Sequence, residues 1–119
     1  MSALDERVAV EVMGWAAVAM PRGTPAWKIP DGGWIEKSAF RPSERIEWAW
    51  MVVTECGGPL TFSVTPSGCE YYVEFRLTTY DGDVIEGEAY SEDICVAICE
   101  AALAFKASEA SLPHRGGAS

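Results

Sequence analysis

Two stretches with apolar residues at helical spacing frame three segments of strict apolar–polar alternation. The helical stretches are residues 46–53, IEWAWMVV, and residues 94–104, ICVAICEAALA. In the first alternating segment Leu60, Phe62 and Val64 interleave with Thr61, Ser63 and Thr65. In the second, Cys69, Tyr71, Val73, Phe75 and Leu77 interleave with Glu70, Tyr72, Glu74, Arg76 and Thr78. In the third, Ile85, Gly87 and Ala89 interleave with Val84, Glu86, Glu88 and Tyr90. Period two is the signature of a half-buried strand, and a period near 3.6 that of an amphipathic helix. Pro66-Ser67-Gly68 and Asp81-Gly82 mark the turns between strands. A third helical stripe, Leu4, Val8, Val12 and Trp15, opens the chain over residues 4–15. The pattern predicts an α+β fold: a three-stranded antiparallel meander packed with three α-helices, in the order α-α-β-β-β-α.

Residues 16–42 break both periods. Pro21, Pro25, Pro30 and Pro42 sit among Gly23, Gly32 and Gly33, which rules out a regular helix. This is read as a long irregular loop between the first two helices. It has room for a small hairpin, residues 26–29 against 34–36, around Pro30-Asp31-Gly32-Gly33. Ser43 is the expected N-cap of the second helix, with Glu44 complementing its dipole. Gly57-Gly58-Pro59 is the expected stop.

Strand parity constrains the registers, because a slip of one residue turns a strand inside out. Pairing Val64 with Cys69 keeps both apolar faces together across a loop of residues 65–68. In the second hairpin a two-residue Asp-Gly turn would set Thr78 against Ile85. The loop Tyr80-Asp81-Gly82, with Gly82 left-handed in a bulge, avoids this. It sets Arg76 opposite Glu86, a favourable pair, and Glu74 opposite Glu88, an unfavourable one. The last helix is expected after Ser91 and to about residue 106, on a stripe of Ile94, Ile98, Ala101, Ala102 and Phe105. Val96, Cys99 and Leu103 widen its apolar arc, and Ala97, Ala101, Ala102 and Ala104 allow close packing. A single domain over residues 1–107 and a flexible tail over 108–119 follow.

Composition narrows the functional classes. At 119 residues with 49% apolar content, the chain can build one core. The net charge of −9 argues against direct contact with nucleic-acid phosphates and suits a basic partner. No apolar run reaches the roughly 18 residues of a membrane span, and the acidic, amphipathic N-terminus is unlike a secretory leader. A cytoplasmic protein is expected. Cys56, Cys69, Cys95 and Cys99 are spaced C-x12-C-x25-C-x3-C, without a C-x2-C knuckle, and the one histidine is His114. That is a poor zinc set and a poor setting for a cysteine nucleophile, so buried free thiols are expected. No metal, cofactor or catalytic residue is expected.

Three groups of residues invite a functional reading. On the second helix, Ile46, Ala49, Trp50 and Val53 are taken as the core face, leaving Trp48, Met51 and Val52 outward. That outward patch is either covered by the 16–42 loop, a homodimer contact, or a partner anchor. Glu70, Glu74, Glu86 and Glu88 cluster on the polar face of the meander. They could hold a metal ion, work as an acid–base pair, mimic a phosphate backbone and so form a second contact surface, or simply be a solvated face, since an open sheet gives no pocket to shift carboxylate pKa values. Trp27, Trp34, Arg41 and Arg45 could frame an anionic ligand by stacking and guanidinium contacts; alternatively the aromatics pin the loop to the core. Cys95 and Cys99, at i and i+4 among Ile94, Ile98 and Ala102, read as core packing.

The chain resembles the phage ABA sandwich family. Val12-Met13-Gly14-Trp15 is similar to that family's V-M-G-W ending of the first helix. Residues 46–53 are similar to its I-A-A-A-W-E-V-V helix. Tyr72-Val73-Glu74-Phe75, Gly87-Glu88-Ala89 and residues 97–103, AICEAAL, are similar to its strand pair and A-I-C-L-A-A-L helix. The resemblance spans most of residues 4–105 and implies helices packed with an antiparallel sheet. It implies no activity and no catalytic residue. Trp48 stands where the family has a small residue and Met51 where it often has Glu, which makes the helix surface stickier. Together these readings lead to a non-enzymatic phage accessory protein in the host bacterial cytoplasm. It would act by binding a host protein, such as a nucleic-acid-binding defence effector of the CRISPR type. The alternative is an oligomeric protein that sequesters a small-molecule nucleotide immune signal.

Overall fold

The computed structural model describes residues 3–30, 32–56 and 61–111. The expected stop signal at Gly57-Gly58-Pro59, the residues Leu60 and Asp31, and His114 in the tail lie outside the described residues.

The main sheet is the expected meander. Strands β4 (Thr61–Ser67), β5 (Glu70–Thr78) and β6 (Val84–Ser91) pair antiparallel in that order. In the β5–β6 hairpin Arg76 faces Glu86 and Glu74 faces Glu88, with Gly82 at φ +89° in the loop, as the parity argument requires. The β4–β5 hairpin keeps the expected faces but not the expected register. Val64 faces Val73 rather than Cys69, and Ser67 faces Glu70. The turn is tightened to Gly68-Cys69, with Gly68 at φ +63°. A glycine with positive φ lets two residues close a hairpin with the strands' own twist, so residues 65–67 extend β4 instead of forming a loop.

Helix α3 (Ile94–Ala110) lies along β5 and β6. Asp93 caps it, its carboxylate accepting the amides of Cys95 at 2.8 Å and Val96 at 3.3 Å. The helix runs four residues beyond the expected end. Its contact with β6 is backbone to backbone. A Cβ on Gly87 would collide with the Phe105 amide nitrogen and the Ala101 carbonyl, and would reach 2.7 Å from Phe105 Cα. Helix α2 (Ile46–Cys56) packs beside α3.

The first helix departs from expectation. It is α-helical only over α1 (Ala3–Arg7) and continues as a π-helical turn, Val8–Val12. Met13 N–H reaches back to Val8 O at 3.0 Å. Val8, Ala9, Val12 and Met13 are all buried, and Trp15 follows them into the core.

The largest correction concerns residues 16–42, which hold a second three-stranded antiparallel sheet. The order is β1 (Ala16–Ala19), β2 (Pro25–Lys28) and β3 (Trp34–Glu36). The element order is therefore α-β-β-β-α-β-β-β-α. The expected hairpin is β2–β3, with Trp27 facing Ile35. Strand β1 was not expected: four small residues, Ala-Ala-Val-Ala, carry no alternation. Both sheets and all three helices contribute to one buried cluster, in which Trp27, Phe40, Phe75 and Phe105 are the largest fully buried side chains. No helix among the described residues is long and apolar enough to cross a membrane.

Candidate functional site

Helix α2 is rotated from its sequence reading: Ala49 and Val53 face the core as expected, but Ile46 and Trp50 do not. Ala49, Val52, Val53 and Cys56 are buried, and Trp48 is half-buried against the same core. The stripes 46-49-50-53 and 49-52-53-56 fit a helical period equally well. The helix continues to Cys56, and Phe40 decides the rest. Phe40 is fully buried between Trp15, at 4.7 Å between ring centroids, and Trp48, at 5.3 Å edge-on. That aromatic row holds Trp48 inward. Trp48 and Val52 therefore do not form an outward patch, and Val52 presents nothing to a partner.

The outward side chains are Ile46, Trp50 and Met51, at 50%, 56% and 40% exposure. Ile46 and Trp50 stand one turn apart. The Trp50 ring leans edge-on towards Phe62 of β4 at 5.9 Å. Met51 lines a shallow groove of about 290 Å3 with Met13, Trp15, Ile29, Thr54 and Glu55. Of the three α2 residues expected to face outward, Met51 alone does so. Trp50 takes the place assigned to Trp48.

On the main sheet, β4–β6 carry their polar residues on the face away from α3. Glu74, Glu86 and Glu88 gather there around Tyr72 and Arg76, while Glu70 stands apart opposite Ser67 beside the hairpin turn. Arg76 bonds Glu86 at 3.0 Å and lies 3.8 Å from Glu74. The Tyr72 hydroxyl donates to Glu88 and sits 3.3 Å from Glu74, its ring 4.8 Å from that of Tyr90. Hydrogen bonding to Glu88 first, then desolvation and the nearby negative charge, push the Tyr72 hydroxyl well above its ordinary pKa. A phenol so held keeps its proton at neutral pH. Among the described residues no group of three or more His, Cys, Asp or Glu side chains could hold a metal ion.

The proposed ligand frame does not assemble. Trp27 faces Ile35 and Trp34 faces Lys28 across adjacent registers, so the two indoles leave opposite faces of the small sheet. Trp27 is buried, with Lys37 Nζ 4.4 Å from its ring centroid, while Trp34 is half exposed. Arg41 is half-buried and Arg45 exposed. Arg45 instead offers its carbonyl to the Ala49 amide at 3.0 Å, opening α2. Ser43 is not the cap expected of it. It lies in the preceding turn, where its own amide donates to the buried carboxylate of Asp5 at 2.9 Å. This tie between the N-terminal helix and the start of α2 spans 38 residues of sequence, and no local pattern announces it.

Cys56, Cys95 and Cys99 are buried free thiols and Cys69 is exposed at the hairpin turn. Burial pushes the Cys56 thiol up to about 11 and raises Cys95 and Cys99 as well. These thiols stay protonated and act as packing.

With helices on one face of an antiparallel meander, the family comparison decides the kinship. A family model described as the phage ABA sandwich domain matches residues 6–103. The chain belongs to that family. No curated protein and no solved structure matches it. This phage ABA sandwich domain thus brings a phage association and its own geometry to the question of function.

Proposed function

We propose that this phage ABA sandwich domain acts by binding, as a non-enzymatic accessory protein that occupies a host protein, with a CRISPR-type defence effector as the class in view. The observation that carries the reading is the exposed trio Ile46, Trp50 and Met51 on α2. A tryptophan more than half exposed, next in sequence to a methionine that lines a groove, has the composition of an interface anchor. The Glu-rich face of the main sheet supports it with a second surface, suited to a basic partner in a chain of net charge −9. The protonated thiols and phenol described above favour binding over nucleophilic chemistry.

The test compares Trp50→Ala/Met51→Ala with the parent in capture of host protein from lysate and in inhibition of the captured protein once purified. Losing two anchors should weaken capture by about a hundredfold or more, since each anchor contributes about 2 kcal/mol, while circular dichroism is unchanged. Undiminished capture and inhibition by the double variant would reject this surface.

A further inference from the structure

The two sheets treat their free edges differently. Met20 N–H donates to Thr24 O at 2.8 Å, continuing the β1–β2 register in which Ala16 faces Lys28 and Val18 faces Ala26. Bonded and non-bonded pairs alternate in an antiparallel ladder. Ala16 and Val18 therefore direct their backbone groups to β2. The amides and carbonyls of Ala17 and Ala19 point out along the open edge of the small sheet.

The edges of the main sheet carry obstacles. Thr79 N–H donates to Asp83 O at 2.7 Å, so odd-numbered residues of β5 bond to β6 and even-numbered ones to β4. The outward positions of β4 are then Phe62, Val64 and Pro66, and Pro66 has no N–H to offer. The outward positions of β6 include Glu86 and Glu88, and the Glu86 amide is directed at Ser108 Oγ of α3 at 3.5 Å. Proline, charge and a covering helix are the usual means of blocking an edge. On the small sheet β3 has only three residues and carries Glu36. Among the described residues strand β1 has none of these obstacles. Its residues are Ala-Ala-Val-Ala, three of the four exposed, and no charged residue occurs from position 12 to position 21.

We propose that β1 pairs antiparallel with β1 of a second copy of this chain about a twofold axis, joining the two small sheets into one continuous sheet. The outward groups select the register. With Ala17 of one copy opposite Ala19 of the other, both outward residues of each strand are bonded, and Val18 meets Val18 in the close non-bonded pair at the axis. The occupant is a second copy because the open edge is self-complementary in length and spacing, as an isologous contact requires. Two chains of net charge −9 also meet with least repulsion along an uncharged segment. The inference does not depend on the α2 surface, which takes no part in it.

Sedimentation equilibrium of the full chain over a concentration series tests it, with a mass twice 12.9 kDa expected at the upper end. Ala17→Pro removes a donor that points outward, so it leaves the β1–β2 ladder whole. It should raise the dimer dissociation constant by about tenfold to a hundredfold, through two lost bonds per dimer, with the circular dichroism of the parent and, at dilutions where both are monomeric, its melting temperature. Separately, Val18→Cys in a Cys69→Ser background should give a disulfide-linked dimer on oxidation, since non-bonded pairs sit within disulfide reach. A monomer at every concentration overturns the proposal. So does a dimer that ignores Ala17→Pro, or one in which Val18→Cys fails to cross-link.

Discussion

The main sheet and the small sheet have the same three-stranded antiparallel order, yet they are held by different physics. Strands β4, β5 and β6 are seven, nine and eight residues long. Their apolar faces, centred on Val73, Phe75 and Ile85, are buried under helices. Burial of one alternating face makes any other register expensive. Strands β1, β2 and β3 have four, four and three residues, and only Ala26 and Trp27 among them are buried. The small sheet is defined by its turns and by one indole anchored in the core. A sheet specified by burial should fail globally when its packing is disturbed, and a sheet specified by turns should fail locally.

Gly87→Ala strikes the first kind of order at its tightest point. The added methyl has backbone on the other side rather than a side chain that can swing away. Overpacking of this kind should cost at least about 3 kcal/mol. Urea denaturation should show the whole transition moved to lower denaturant, with α3 and both sheets lost together. If Gly87→Ala is tolerated within about 1 kcal/mol, an ordinary core contact by the measure of single substitutions, α3 does not ride on β6 as described.

Trp27→Ala strikes the second kind. A fully buried large aromatic typically costs about 3 kcal/mol or somewhat more on truncation, but most of this loss should appear in one region. Amide exchange should accelerate in residues 16–36, which have little else in the core, and change much less at Val73 and Phe75. Uniform acceleration across both sheets would show them to be a single cooperative unit and erase the distinction.

The same distinction explains what could be read from the sequence. The meander, the faces of its strands and the β5–β6 register were legible because alternation over eight or nine residues and an Asp-Gly turn act together. The β4–β5 register was not, because parity leaves registers two residues apart equivalent, and Gly68 chose the shorter turn. Strand β1 has no side-chain period to read. The orientation of α2 was ambiguous because two stripes of equal quality run along it, and the deciding residue, Phe40, lies outside the helix. The Glu74–Glu88 and Arg76–Glu86 pairs followed from register alone. The ligand frame at Trp27 and Trp34 failed for the opposite reason: the residue types suggested it, but strand pairing sends the two rings to opposite faces.

Alkali offers a gentler separation of the two regions, because every raised thiol or phenol lies on the main sheet or its helices and residues 16–36 contain neither Cys nor Tyr. Cys56 gives the best-defined window. Burial lifts its pKa first, with Glu109 and Glu55 adding to the rise and Lys106 opposing it, from an ordinary value of 9.0 to about 11. Below pH 9 folded and unfolded chains both carry the proton, and the full stability is present. Between pH 9 and about 11 the unfolded chain releases it while the folded chain holds it, so stability falls as pH rises. Above that window the loss from this group is complete. The effect should amount to about 2 kcal/mol at most, given roughly 1.4 kcal/mol per unit and incomplete burial. Cys56→Ala lowers stability at neutral pH by leaving a cavity, but the gap between variant and parent should narrow through the window, because the variant has no thiol to ionise there. Amides in residues 73–75 should follow this pH dependence more closely than those in 16–19. A gap between Cys56→Ala and parent that stays constant from pH 8 to pH 11 would mean the thiol is not held protonated by the fold.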